Sequence, residues 1–190
     1  HRLHQHDRAL HGQRIGNITT QVACCLGGAD SLVANRDDLE LLRAEVDAAL
    51  RRLEEATGRR LGDASNPLLV SVRSGARVSM PGMMETILNL GLNDKTVEAL
   101  ARESGKPRFA WDSYRRFLQM YGDVVLNVPS HVFETLLAAK RMVSGVETDA
   151  EVPVELLQAL VVEYKALARS TVKHELPMDP REQLWGAIEA

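Results

Sequence analysis

The feature that most constrains the fold is a short apolar run that ends in two arginines. Residues 68–72 read Leu-Leu-Val-Ser-Val, with a proline in front and a turn-rich stretch behind. A compact apolar run of this kind predicts a β-strand that is buried on both faces. The strand leads to Arg73 and Arg77, which are separated by Ser74, Gly75 and an alanine.

The two arginines and the small residues between them predict a phosphate site. Small side chains let the backbone approach a ligand closely, and Gly75 can adopt conformations that other residues avoid. A planar guanidinium donates several hydrogen bonds at once to phosphate oxygens. The alternative is that arginines just past a strand are solvated or paired with carboxylates, and the pattern alone leaves both open. The sequence has no Walker-type Gly-rich loop with Lys and Ser or Thr.

Composition excludes some partners. The net charge of −3 offers no electrostatic basis for binding nucleic acid or an anionic membrane. The longest apolar runs are too short to span a bilayer. The two cysteines, Cys24 and Cys25, are adjacent and provide no disulfide framework, which predicts a reducing compartment and a cytoplasmic location.

Four histidines lie near the start of the sequence, and clustered imidazoles can bind transition metals. No cysteine or carboxylate accompanies them at the spacing of a structural metal site, so residues 1–17 are predicted to be a disordered tail. The four are His1, His4, His6 and His11.

The hydrophobic pattern outside the central run is mostly helical. Residues 37–57 have an amphipathic helical period that ends before a glycine. Residues 86–90 suit a second short strand, and from residue 93 onward the chain is almost wholly helical. The pattern therefore predicts an α+β fold that is mostly helical.

An aromatic stripe marks one of these helices. Ala110, Tyr114, Phe117 and Tyr121 recur at helical spacing beside the basic pair Arg115-Arg116. Aromatic and basic side chains together could stack on single-stranded nucleic acid. Core packing is the favoured interpretation, because only 4% of residues are aromatic and the chain is acidic.

Several residues are suited to start or end helices. Asn93 or Asp94 can cap the helix that follows the second strand, and Gly105 can end it. Asp179 can cap the last helix, with Pro180 in its first position. No stop signal follows before Ala190, which predicts that the sequence is a piece of a longer protein.

Four stretches carry a resemblance to a known family. They read Ser-Val-Arg-Ser-Gly-Ala-Arg at 71–77, Met-Pro-Gly-Met-Met-Glu-Thr-Ile-Leu-Asn-Leu-Gly-Leu-Asn-Asp at 80–94, Arg-Phe-Ala-Trp-Asp-Ser-Tyr-Arg-Arg-Phe-Leu-Gln-Met-Tyr-Gly-Asp-Val-Val at 108–125, and Asp-Pro-Arg-Glu-Gln-Leu-Trp at 179–185. This pattern resembles the nucleotide-binding domain of the pyruvate, phosphate dikinases. The related dikinase that makes phosphoenolpyruvate with water usually has a second serine in place of Gly75 and lacks the Met-Pro-Gly-Met-Met run.

The resemblance implies an ATP-grasp-like lobe and a set of site residues. The family converts ATP, phosphate and pyruvate to AMP, pyrophosphate and phosphoenolpyruvate through a phosphohistidine on a separate domain. By motif match, Arg73 and Arg77 would contact ATP, Arg73 would also brace the transferring phosphoryl group, and Ser74 and Gly75 would shape the loop. Phosphoryl transfer depends on positioning and charge neutralisation, which suits these roles.

The resemblance also implies partners outside this sequence. The Mg²⁺ ligands, the phosphohistidine domain and the region through which the family forms homodimers all correspond to positions beyond residue 190. The family's Gly-rich segment with a phosphate-contacting lysine is expected near residues 1–17, where it is not found.

The resemblance divides the chain into four parts. After the tail of residues 1–17, residues 18–92 would form a partial α/β nucleotide-binding lobe, residues 93–178 a helical subdomain, and residues 179–190 the start of a helix that returns to the lobe. The alternative function is a non-catalytic helical interaction module with an incomplete ATP site.

Overall fold

The computed structural model describes residues 36–73, 86–172 and 176–190. Within them, two short two-stranded sheets lie among six α-helices, so the predicted mostly helical α+β fold is confirmed. The elements are α1 (Arg36–Thr57), β1 (Arg60–Leu61), β2 (Pro67–Leu68), β3 (Val70–Arg73), β4 (Thr86–Leu90), α2 (Thr96–Ser104), α3 (Pro107–Val124), α4 (Ser130–Ser144), a 3-10 turn (Asp149–Glu151), α5 (Val154–Val172) and α6 (Pro180–Glu189).

The central run does not form the single, fully buried strand that its composition predicts. It is divided between β2, which pairs with β1 in parallel, and β3, which pairs with β4 in antiparallel. Only Val70 of β3 is buried, and Arg73 is exposed. The physical reason is that an antiparallel pair can pack one face on helices and leave the other open. The prediction was therefore wrong about burial and continuity.

A β-bulge in β4 determines which side chains face the core. Val70 pairs with Leu90 and Val72 with Ile87, so β4 holds one more residue than β3 between these pairs. In a regular strand, Ile87 and Leu90 would point to opposite faces, because side chains alternate. The extra residue brings both onto the buried face. Asn89 adopts a positive φ of 61° within the bulge, a conformation that asparagine tolerates better than most residues.

Helix α3 lies at the centre of the helical part and contacts α2, α4, α5 and β4. All four residues of the predicted aromatic stripe are buried on it. The rings of Phe117 and Tyr121 lie 5.6 Å apart and those of Tyr114 and Phe117 6.4 Å apart, which are normal separations for packed aromatic pairs. The core interpretation of the stripe is therefore confirmed.

The helix boundaries follow the predicted signals closely. The Asn93 carboxamide oxygen accepts hydrogen bonds from the backbone N–H groups of Lys95 and Thr96, at 2.9 and 3.0 Å. Asp179 accepts from Arg181 and Glu182 at the start of α6. Gly105 ends α2 in the left-handed conformation. These caps confirm the assigned starts and stops.

A buried carboxamide joins α6 to the turn between β4 and α2. The Gln183 oxygen accepts from the Gly91 N–H at 2.9 Å, and its nitrogen donates to the carbonyls of Leu92 and Pro177 at 3.0 and 2.9 Å. Gln183 is only 1% exposed, so water cannot replace these partners. The turn is tight: a side chain on Gly91 would lie 2.8 Å from the Leu68 carbonyl oxygen. The last helix is thereby held to the turn that follows β4, about ninety residues earlier in the sequence.

We expect Gln183→Ala to lower the free energy of unfolding by about 2–4 kcal/mol, because it leaves a buried N–H and two carbonyls without their partner. Urea denaturation measures the loss. Gln158 lies exposed on α5, so Gln158→Ala should stay within about 0.5 kcal/mol of the wild type. Equal losses in the two variants would contradict the role given to Gln183.

Gly186 allows Tyr121 of α3 to lie against α6. A Cβ at residue 186 would overlap the Tyr121 hydroxyl, so Gly186→Ala should destabilise the protein although alanine ordinarily favours a helix by about 1 kcal/mol. In a Tyr121→Phe background the same substitution should lose most of its penalty. Thermal denaturation of the two single variants and the double variant measures this coupling. A penalty of equal size in both backgrounds would show that the hydroxyl is not the obstacle.

Candidate functional site

Arg73 stands at the open end of the β3–β4 ribbon. It pairs in register with Thr86, and its Nε–H donates to the Thr86 Oγ1 at 3.2 Å. Among the residues that the structure describes, no carboxylate forms an ion pair with Arg73. Its terminal amino groups are therefore not committed to an acidic partner there.

The other three predicted site residues belong to a segment that the structure does not describe. Ser74, Gly75 and Arg77 lie in residues 74–85, outside the described part of the chain. Whether Arg73 and Arg77 face one cleft therefore stays a prediction, as do the roles assigned to all four residues.

The ribbon presents Arg73 on its outer face. Directly opposed residues of an antiparallel pair point to the same side, so Arg73 and Thr86 share a face. Leu88, two residues further along β4, lies on that face as well, opposite the buried Ile87. The ribbon therefore has a core face and an outer face, and the outer face carries Arg73, Thr86 and Leu88.

Leu88 lines an open cleft of about 600 Å³. The cleft lies between β4, α3, α4 and the 3-10 turn, and it has both apolar walls and charged side chains of each sign. Its lining residues are Leu88, Asn89, Arg115, Arg116, Gln119, Met120, Asp123, Ser130, Glu134, Leu137, Ala138, Arg141 and Asp149. Three arginines and three carboxylates balance one another, so the cleft as a whole has no strong excess of positive charge.

Arg115 is the least expected residue of this cleft. The sequence places it beside Arg116 in a basic pair, but the structure buries it to 3% exposure. Its Nε donates to the Asp112 carboxylate at 2.9 Å and its Nη1 to the Gln119 side chain at 3.0 Å. Both partners lie one helical turn away, so the spacing of Asp112, Arg115 and Gln119 was a signal available in the sequence.

Asp112 also holds Arg116, but that arginine is largely exposed. The Arg116 Nε lies 3.0 Å from the Asp112 carboxylate, and the side chain is 61% accessible. One carboxylate therefore serves a buried and an exposed guanidinium at once. Solvent screens the exposed Arg116–Asp112 pair. The buried Arg115 guanidinium, in contrast, needs its acidic partner to offset the cost of removing its charge from water.

Tyrosines of the adjacent core remain protonated. Burial raises the pKa of Tyr164, whose hydroxyl donates to the Phe133 carbonyl at 2.9 Å, although the nearby Arg115 opposes the shift. Burial and the Asp94 carboxylate raise the pKa of Tyr114, whose hydroxyl donates to Asp94 at 3.1 Å. Burial, with the charges of Glu182 and Glu189, raises the pKa of Tyr121 to about 12. These phenols act as structural hydrogen-bonding or packing groups rather than as proton carriers near neutral pH.

Two further properties bear on cofactors and location. The described residues contain no group of three or more His, Cys, Asp or Glu side chains that could hold a metal ion. In the same part of the chain, no helix is both long and apolar enough to cross a membrane.

The fold and the exposed arginine at the ribbon's end define a mostly helical α+β domain with a candidate anion-binding edge. Comparison with known proteins then gives its family. Residues 40–171 match the family described as pyruvate phosphate dikinase, AMP/ATP-binding domain. The match covers more than half of the chain, and the chain therefore belongs to this family, as the sequence motifs predict.

Curated relatives agree with this assignment. The chain is 52% identical over 151 residues to pyruvate, phosphate dikinase of Rhizobium meliloti, covering 80% of this chain and 17% of the relative. The Clostridium symbiosum enzyme of the same name is 49% identical over 150 residues, covering 78% and 17%. Pyruvate, phosphate dikinase 1, chloroplastic, of Oryza sativa is 48% identical over 146 residues, covering 77% and 15%. The chain thus spans about one sixth of the length of these relatives.

Removing the carboxylate of Asp112 tests whether the buried guanidinium of Arg115 depends on it. We expect Asp112→Ala to cost about 3–5 kcal/mol, because it leaves the Arg115 charge buried without its acidic partner. Arg116→Ala removes only the exposed pair and should cost about 0–1 kcal/mol. Chemical denaturation of both variants compares the two. If they lose equal stability, Arg115 does not depend on Asp112.

Proposed function

We propose that this chain is the nucleotide-binding portion of a pyruvate, phosphate dikinase. The single observation that carries the proposal is the identity of about one half to enzymes of that name over about four fifths of the chain. This assignment fits the likeness better than the alternative, a non-catalytic helical interaction module, does. In the whole protein, ATP, phosphate and pyruvate would be converted to AMP, pyrophosphate and phosphoenolpyruvate.

Arg73 is the residue to which we assign the main role in ATP binding. Its guanidinium is exposed, lies at the end of a ribbon and has no carboxylate partner among the described residues. A guanidinium so placed can donate parallel hydrogen bonds to phosphate oxygens and neutralise charge that develops during phosphoryl transfer. Arg77 would support the neighbouring phosphates, and Ser74 and Gly75 would shape the loop between the two arginines.

The remaining partners follow from the same assignment. A phosphohistidine on another domain would accept the phosphoryl group, and homodimer contacts would lie outside this chain. Mg²⁺ would accompany ATP, with ligands from outside the residues described here. We place the protein in the cytoplasm, although the rice relative named above is a chloroplastic form.

ATP-dependent thermal stabilisation tests the proposal. With Mg²⁺ and ATP at one hundred times its dissociation constant, the free energy of unfolding should rise by about 2.7 kcal/mol. Arg73→Ala should remove most of the rise. Arg51 is exposed on α1, so Arg51→Ala is the matched control and should leave the rise unchanged.

Two outcomes would contradict the proposal. The absence of any shift with ATP in the wild-type chain would leave the helical-module alternative as the better account of this piece. A full shift in Arg73→Ala would show that the chain binds ATP elsewhere and that Arg73 is not the phosphate ligand.

A further inference from the structure

We propose that Thr86 is a positioning residue that holds Arg73 in the orientation required for phosphate binding. This inference rests on the proposed function. It adds a further residue to the site, one that acts through the arginine rather than through contact with the nucleotide.

The contact between the two side chains is set by the sheet. Arg73 and Thr86 are directly opposed in the antiparallel register, and the Arg73 Nε–H donates to the Thr86 Oγ1 at 3.2 Å. Directly opposed side chains in such a pair are near neighbours by geometry. Threonine is also branched at Cβ, which restricts its first side-chain torsion and so limits the directions that its hydroxyl can take.

This contact determines which part of the guanidinium remains available. A guanidinium has five N–H donors, and one of them, on Nε, is used by Thr86. The four donors on the two terminal nitrogens remain. They form the end-on pair that can donate two parallel hydrogen bonds to a phosphate. Because Thr86 occupies Nε, a phosphate is expected to bind the two terminal nitrogens of the guanidinium rather than Nε and one terminal nitrogen.

The bulge in β4 keeps Thr86 on the same face of the ribbon as Arg73. Ile87 and Leu90 are both buried, and the extra residue between them leaves Thr86 on the outer face with Arg73. The threonine hydroxyl thus faces the arginine, not the core. Without a restraint, an exposed arginine samples many rotamers, and binding must then include the cost of ordering it.

Two substitutions separate the hydroxyl from the shape of the residue. Thr86→Val keeps the branched Cβ and the strand preference but removes the acceptor, whereas Thr86→Ser keeps the hydroxyl. Loss of one hydrogen bond to the guanidinium should weaken ATP binding about three- to tenfold in Thr86→Val. Thr86→Ser should stay near the wild-type affinity. Thr135→Val, on an exposed position of α4, is the matched control and should have no effect.

The arginine can be observed directly by ¹⁵N relaxation of its Nε, with the signal assigned by its disappearance in Arg73→Ala. In the wild type and in Thr86→Ser, the Nε should be ordered in the absence of nucleotide. In Thr86→Val, its order parameter should fall into the range of flexible groups, below about 0.6. An unchanged order parameter in Thr86→Val would overturn the inference.

A double-variant comparison shows whether Thr86 acts through Arg73. In an Arg73→Ala background, Thr86→Val should change the residual ATP affinity no further. A further loss there would overturn the inference, because it would mean that Thr86 contacts the nucleotide itself. Equal losses in Thr86→Val and Thr86→Ser would overturn it too, because the hydroxyl would then not be the cause.

These readouts distinguish failure of the inference from failure of the proposed function. If the wild-type chain binds no ATP, the proposed function fails and with it the nucleotide role of Thr86, whatever the Nε relaxation shows. If Arg73→Ala lowers ATP affinity but Thr86→Val does not, the proposed function stands and only the positioning role fails.

Discussion

The carboxamide of Gln183 is the interaction on which the rest of the structure depends. It satisfies one N–H and two carbonyls of turns that would otherwise be buried without partners. By doing so it holds α6 against the ribbon formed by β3 and β4. In the part of the chain that the structure describes, the ribbon has two strands, and a pair of strands is barely stable by itself in water. Its shape, and hence the location of Arg73, follows from the helices that cover one of its faces.

Much of this architecture could be predicted from local sequence signals. Asn93 and Asp179 cap helices as expected, because a short polar side chain that precedes a helical pattern satisfies the free N–H groups of the first turn. Tyr114 and Tyr121 are buried as their helical spacing indicates. These features depend on residues a few positions apart, so the sequence contains all the information they need.

Other features depend on contacts between distant parts of the chain, and these could not be predicted. The division of the central run between β2 and β3 depends on which strands pair with each half. The burial of Arg115 depends on the packing of α3 against its neighbours, although its partner Asp112 is one turn away. Of the candidate site, the sequence identifies Arg73 through the family motif, but its partner Thr86 appears only once the strand register is known. The assignment of Ser74, Gly75 and Arg77 stays a prediction.

The bulge in β4 also limits how this part of the chain can change in length. The alternation of buried and outward-facing side chains along β4 shifts by one position at residue 89, because the strand contains one residue more than strict alternation would allow. Deleting that residue would turn Thr86 towards the helices and expose Ile87 to solvent, without altering any side chain of the motif. The spacing between residues 86 and 90 is therefore as much a part of the motif as the identity of its arginine.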